Sequence, residues 1–458
     1  MKKTFLGALL FAGTLAFTAC QNETLVYVDE NGNPIENAEL QEGEGILKIT
    51  VSSTDATSRA VRPVGSSAAA NNVNEVKVYV FKKTGPSNGN TDYTFDSSIS
   101  LSNQLDGDVS VEGGIFTVSF QSGKDDHANP TPMDGHTDQT KNITLKGLSK
   151  NATYKFVAVG YNGTYPYGTL SEPTGETTTL ENFIQTTTAK SDYEVEELFA
   201  GVSVDCTTNS DKAAFDGDAS VTITRQVAGM LGYFKNIPTK IGESVVKYVR
   251  VYANKEFTTF KFPAQLLTAP DFNGVDANTT ADKDDKFLVM EFDMSTIATN
   301  WGEGTPTGDT YTFADCSKTG LSAGTTASLS APLATGYTAP EGLKLVENSI
   351  FGGRYLIPYD QHVASQTLTV ELQDKDGKAL KTLNVVTDQI PSEATKYAYD
   401  IRCNNFYSIG KKLDTDSTDG GDPDPEDPDE PVDLSGNTDI KVIVNDAWKV
   451  LHNMGVEE

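Results

Sequence analysis

Cysteine is scarce in this chain: four in 458 residues, at Cys20, Cys206, Cys316 and Cys403. Beyond Cys20 the number is odd and no two lie close together. That pattern supports neither a disulfide framework nor the paired ligands of a zinc site. Cations are also short, with 36 Lys and Arg against 64 Asp and Glu and a net charge of −28. Nucleic-acid binding needs clustered Lys and Arg to meet phosphates, so no nucleic-acid partner is expected. The four His (His127, His136, His362 and His452) show no ligand spacing and read as surface residues, and no metal or other cofactor is expected. After the first twenty residues no apolar run approaches the ~18 residues that a membrane helix needs. There are only two Trp, Trp301 and Trp448, so the chain is poor in the exposed aromatics typical of sugar sites.

What is present begins with an address. "MKKTFLGALLFAGTLAFTAC" (1–20) opens with Lys2 and Lys3, continues with an apolar run and closes on small residues. This is the pattern of a secretory signal peptide. Phe17-Thr18-Ala19-Cys20 looks like a bacterial lipobox in which Cys20 is freed and acylated, although Phe17 stands where Leu is usual. The alternative is ordinary cleavage with Cys20 as a bystander.

The body reads as β structure. "NEVKVYVF" (74–81) sets Val76, Val78 and Val80 on one face against Lys77 and Tyr79 on the other. "GGIFTVSF", "ATYKFVAVGYN", "VVKYVRVYA" and "QTLTVELQDKDGKALKTLNVVT" repeat the alternation between Gly, Asn, Asp and Pro breaks. Such spacing points to β-sandwiches rather than α/β units. "DKDG" (374–377) reads as a hairpin turn rather than a calcium loop, which needs further carboxylates. A polar stretch at 199–220 suggests a boundary near 212 between an N-terminal sandwich (60–212) and a C-terminal one (213–413).

Ten of the acidic residues lie between Asp414 and Asp433. Residues 414–438 read as an acidic, Pro-rich, solvated linker, able to reach roughly 75 Å when extended. Past it, in 439–458, comes "DIKVIVNDAWKV", with Ile440, Val442, Val444, Trp448 and Val450 on the even positions, interrupted by Asp446. Period two holds best over 439–445, and the residues beyond 446 suit a short helix as well. A lone strand can neither bury its apolar side nor pair its backbone. It either folds back as an edge strand of its own domain or completes a sheet in another molecule.

Near the start, "ILKITVSS" (46–53) is nearly equivalent, with Leu47, Ile49 and Val51 as its stripe. A small-residue stretch follows that contains Arg59 and Arg62. Trypsin-like proteases cut Arg62-Pro63 poorly, while Arg59-Ala60 presents no such obstacle, so Arg59 is the expected site and Arg62 the fallback. A cut there would free the early strand from the body and leave a groove suited to the late one. The early strand then reads as a pro-strand within a propeptide (21–59), and the late one as its replacement.

These features occur in a specific order: lipobox, acidic propeptide, Arg-bearing segment, "NNVNEVKVYVF" (71–81), "ITRQVAGM" (223–230) and "YAYDIRCNNFYSIGKKL" (397–413) before an Asp/Pro tail. In that order the chain resembles the Bacteroidota fimbrillins, major subunits of type V pili, nearer the short-fimbria branch. Gly229 stands where relatives often carry Arg. The resemblance implies two transthyretin-like β-sandwiches and a precursor held at the outer membrane by acyl chains, palmitate included, on Cys20. It implies removal of the propeptide by an Arg-specific protease and head-to-tail polymerisation of copies by donor-strand exchange, in company with anchor and tip subunits. A stalk subunit that supports adhesion and biofilm formation requires both a cleavable pro-strand and an onward donor, and this chain has both. The alternatives are a tip or accessory fimbrial adhesin and a surface glycan-binding β-sandwich lipoprotein using Tyr165-Pro166-Tyr167. Catalysis is not expected: "GLSAG" (320–324) matches a nucleophile motif but lies in a small-residue stretch without the flanking strand and helix.

Overall fold

The computed structural model describes residues 40–51, 73–87, 89–102, 109–120, 139–189, 194–254, 256–276, 286–299, 301, 312–313, 349–359, 368–387, 401–409, 432–435 and 440–445. The protein is all-β. Among the described residues the one α-helical turn is Met294–Ile297, and no helix is long and apolar enough to cross a membrane. From Glu42 onward the chain forms one unit.

Its first sheet is built on β1 (Glu44–Val51), β2 (Glu75–Lys83), β3 (Ile115–Ser119), β4 (Gln139–Lys146), β5 (Thr153–Tyr161), β6 (Phe199–Val202) and β7 (Ala219–Arg225). These lie in the order β4-β1-β7-β6-β5-β2-β3, with Ser100–Leu101 and Val109–Glu112 at the edges. Strands far apart in that order feed a single core: Leu47, Ile49 and Val51 of β1 join Val76, Val78 and Val80 of β2 in one buried cluster. The sheet therefore closes on itself as a sandwich does, with alternate residues turned inward.

The expected polar face of β2 is not a solvent face. Tyr79 and Phe81 are fully buried in a second cluster, against Phe183, whose ring centroid lies 4.6 Å from that of Tyr79. That second cluster continues into the rest of the chain. A small sheet, in which Gln185–Thr188 pairs with Phe257–Phe262, joins the two halves through partners such as Thr187 and Phe260.

The second large sheet holds β8 (Ala228–Lys235), β9 (Tyr248–Ala253), β10 (Phe287–Asp293), β11 (Ser349–Leu356), β12 (Leu368–Gln373), β13 (Ala379–Thr387), β14 (Phe406–Ile409) and β15 (Ile440–Asn445). Its order is β11-β8-β14-β15-β13-β12-β9-β10, with Glu194–Val195 beside β11. The β12–β13 hairpin turns through "DKDG". Gly377 adopts a φ of +78° there, and the Asp374 carboxylate accepts the N–H groups of Asp376 and Lys378. That carboxylate is occupied by the turn itself.

Two expectations need correction. The boundary expected near 212 falls between Arg225 and Ala228, because β7 belongs to the first sheet: Val221 and Ile223 fill its core. The polar 203–218 stretch belongs to the first half, where Cys206–Thr207 pairs with β5 and Thr208 bridges Phe215. "ITRQVAGM" thus does not open the second half but straddles the junction, which explains its two polar residues. Arg225, 1% exposed, pairs with Glu197, donates to Asn404 Oδ1 and stands over the Phe199 ring. Gln226 is equally buried and donates to the carbonyls of Ala200 and Thr224 while accepting from the Ala264 N–H. A buried Gln is tolerable only with its amide satisfied in this way.

The second correction concerns the tail. Within the expected linker 414–438, Val432–Asp433 pairs with β8 and Leu434 is fully buried. The Leu434 N–H donates to the Lys235 carbonyl, and the Leu434 carbonyl accepts from the Lys381 ammonium. Val432 and Leu434 are the apolar residues of an otherwise acidic run, and burying them ties the tail to the second sheet.

Candidate strand-exchange groove

β1 lies between two neighbours of opposite sense. It runs parallel to β7, with Leu47, Ile49 and Val51 opposite Ala219, Val221 and Ile223. Against β4 it is antiparallel over all eight residues, with Leu47 opposite Ile143 and Ile49 opposite Lys141. Leu47, Ile49 and Val51 are at most 1% exposed, while Lys48 and Thr50 are half-buried on the other face. At about 1.5–3 kcal/mol per fully buried aliphatic side chain, the three hold β1 by roughly 5–9 kcal/mol before entropy is counted. The backbone ladders on both edges add to this.

Further bonds close the start of the strand. At its start the Gly43 N–H donates to the Lys212 carbonyl, and the Gly43 carbonyl accepts from the N–H groups of Gly147 and Leu148. The Ser102 hydroxyl donates to the nearly buried Glu44 carboxylate. Gly45 admits no side chain as things stand: a Cβ there would lie 2.6 Å from Leu148 Cδ1 and 2.7 Å from the Phe215 ring. At the other end, Val51 pairs with Ile223 of β7 and Gln139 of β4. The groove wall is equally tight, since a Cβ at Gly201 of β6 would come within 2.0 Å of the Thr222 carbonyl oxygen.

The late strand also has one parallel and one antiparallel neighbour. β15 runs parallel to β13, with Val442 opposite Thr387, and antiparallel to β14, with Val444 opposite Tyr407. This corrects the expectation that it lies outside the main body or folds back as an edge. In the single chain it is an interior strand of its own second sheet, because β13 and β14 both present open edges to it.

Cys20, Arg59, Ala60, Arg62, Trp448 and Val450 lie outside the described residues, as do Cys316, the four His and the "GLSAG" segment. The three remaining aromatic candidates for a sugar platform are otherwise engaged. Trp301 is 7% exposed and donates its indole N–H to the Val246 carbonyl. Tyr165 and Tyr167 pack edge to face on each other, Tyr165 also against Phe262 and Tyr167 against Phe260. Burial pushes the Tyr165 hydroxyl up to about 12. The Tyr167 hydroxyl accepts from the Glu196 N–H and donates to the Glu196 carbonyl. These rings brace the junction between the halves. The junction pair Arg225-Gln226 was missed by sequence reasoning, although two polar residues inside an apolar run are the signal for it.

No protein-family model and no curated protein matches the chain. Solved structures similar to it include fimbrial proteins, putative cell adhesion proteins and a putative polysaccharide-binding protein from Bacteroides thetaiotaomicron. A FimA fimbrilin from Porphyromonas gingivalis shares 13% identity, over 90% of this chain and 99% of that one, with a TM-score of 0.34. The fimbrial anchor protein Mfa2 from the same organism shares 10%, over 82% and 94%, with a TM-score of 0.33. A fimbrial assembly protein from Parabacteroides distasonis shares 9%, over 80% and 90%, with a TM-score of 0.30.

Proposed function

We propose that this chain is the repeated stalk subunit of a cell-surface fimbria that supports adhesion and biofilm formation. It is exported as a lipoprotein acylated on Cys20 and held at the outer membrane. An Arg-specific protease cuts after Arg59, β1 leaves, and the segment from about Asp439 of a neighbouring copy takes its place. Copies join head to tail, a contact that does not close and so grows a fibre, with anchor and tip subunits at its ends. The observation that carries this reading is β1 itself. It is an interior strand with an apolar stripe and two paired edges, and an Arg-bearing segment joins it to the rest of the sheet. Its near-duplicate stands at the other end of the chain.

N-terminal sequencing of surface-extracted fibres tests the maturation step, with Ala60 as the expected first residue. Arg59→Ala is expected to leave full-length, unpolymerised protein, while the Arg59→Ala/Arg62→Ala double variant removes the fallback site. Assembled fibres that still begin at Cys20 or Gln21 overturn the mechanism. Cys20→Ser is expected to release the precursor from the membrane and reduce fibres, while fibres of the parent protein are expected to carry no lipid because Cys20 leaves with the propeptide.

A further inference from the structure

The likeness between the two strands extends beyond their apolar cores. Laying Ile440–Val444 on Leu47–Val51 puts Lys441 on Lys48 and, four residues before the first apolar position, Gly436 on Gly43. Gly43 is not an arbitrary residue. Its φ is +82°, its N–H and carbonyl make the three hydrogen bonds that close the start of the groove, and a Cβ on it would lie 3.3 Å from the Leu148 carbonyl oxygen. Left-handed backbone of this kind is glycine's territory.

The intervening positions are compatible with the same alignment. Asp439 falls on Ile46, which is half-exposed. Asn437 falls on Glu44, and an amide carbonyl accepts the Ser102 hydroxyl as the Glu44 carboxylate does. Thr438 falls on Gly45 and is the one misfit, since it must push back the ends of Leu148 and Phe215. The pro-strand is thus the better-fitting of the two.

We propose that the donor of a second copy enters the groove in one register, Gly436–Val444 in place of Gly43–Val51, with Gly436 as the pin that sets it. This rests on the reading that 439–458 is the donor. Glycine at the closed end and, starting four residues later, an apolar residue at every second position define what the groove accepts. A strand slipped by two residues keeps its stripe inward but loses the glycine.

Cysteine pairs separate the register from the reading beneath it. Full-length subunits carrying Val442→Cys are mixed with subunits carrying one acceptor cysteine on β4, cut with trypsin, oxidised mildly and run without reductant. In the proposed register Val442 takes the place of Ile49, whose partner is Lys141. Lys141→Cys is therefore the expected linking partner. Predominant linkage to Ile143→Cys or Gln139→Cys, the partners of Leu47 and Val51, overturns the register and leaves the donor reading standing. No linkage to any of the three in assembled material overturns both. Gly436→Val is expected to lower the yield of the 442–141 species by roughly tenfold or more, the effect of strained backbone, and Gly436→Asn by less. Unchanged yield in Gly436→Val removes Gly436 as the pin. Thr438→Gly is expected to speed linkage by relieving the misfit; slower linkage contradicts the alignment at that position.

Discussion

β1 and β15 are alike in sequence and in the sense of their neighbours, yet they lie in different sheets. β1 pairs with β4 over eight residues and with β7 over five, and Gly43 and Glu44 add a closed end. Among the described residues, β15 lies between β14 and β13, with Val444 opposite Tyr407 and Val442 opposite Thr387. Each lost pair exposes backbone groups whose unmet hydrogen bonds are costly, so β1, paired along both edges and closed at its start, does not open piecemeal. In the mechanism we propose, its covalent tie is cut before it leaves. Two similar strands thus occupy different sheets, and what surrounds each one sets it apart.

The comparison can be broken by charge. Ile49→Asp places a carboxylate in the first core, where an unpaired charge costs several kcal/mol. The precursor is expected to lose most of its stability in urea unfolding. Val442→Asp is expected to leave the first half unfolding as in the parent while abolishing SDS-resistant ladders on unboiled gels. If both variants destabilise the first half equally, the two strands do not have separate sites in the monomer.

A smaller effect is expected at the groove wall. In Gly201→Ala the methyl group meets the Thr222 carbonyl oxygen, forcing β6 and β7 apart at a cost of about 1–3 kcal/mol. Amide exchange along Val221–Ile223 is expected to rise, and a wild-type exchange pattern there argues that the wall yields freely. Exchanging the strands sharpens the comparison further. Converting "IKVIV" to "LKITV" by Ile440→Leu, Val442→Ile and Ile443→Thr is expected to change ladder yield by no more than about twofold, since hydrophobic swaps of similar volume are tolerated. A collapse of yield shows that the likeness is not what the groove reads.

The smallest effect concerns pH and the tail. Burial opposes ionisation of Asp433, but hydrogen bonds from Ser435 and Asn236 and the nearby Lys235 charge hold its carboxyl below the ordinary 3.8. A carboxyl depressed in the folded state contributes stability above its unfolded value and loses it as pH falls through the folded one. Protection of the Leu434 N–H, bonded to the Lys235 carbonyl, is expected to weaken as the pH drops below 3.8. Asp433→Asn is expected to flatten that dependence.

Much of this was legible without coordinates. The alternation of Val76, Val78 and Val80 marks a strand with a core face, and the stripe of Leu47, Ile49 and Val51 marks another, because a strand's side chains alternate strictly. The Asp374–Gly377 turn follows from residues that stabilise turns locally. The junction was less legible: "ITRQVAGM" reads as one strand, and only its partners show that Arg225 ends one sheet and Ala228 begins another. Leu434 was hidden by its acidic surroundings.

By itself, then, the chain determined which segments are strands, which face of each is apolar, and that the stretches at 46–53 and 439–450 are near-duplicates. These are local properties, fixed by side-chain alternation and turn chemistry. The tertiary structure alone decided that β7 closes the first sheet, that Tyr79 faces a second core rather than water, and that β15 lies inside its own sheet between β13 and β14. Pairing partners far apart in sequence are chosen by which open edges and apolar faces meet when the whole chain packs, and no local pattern encodes that choice.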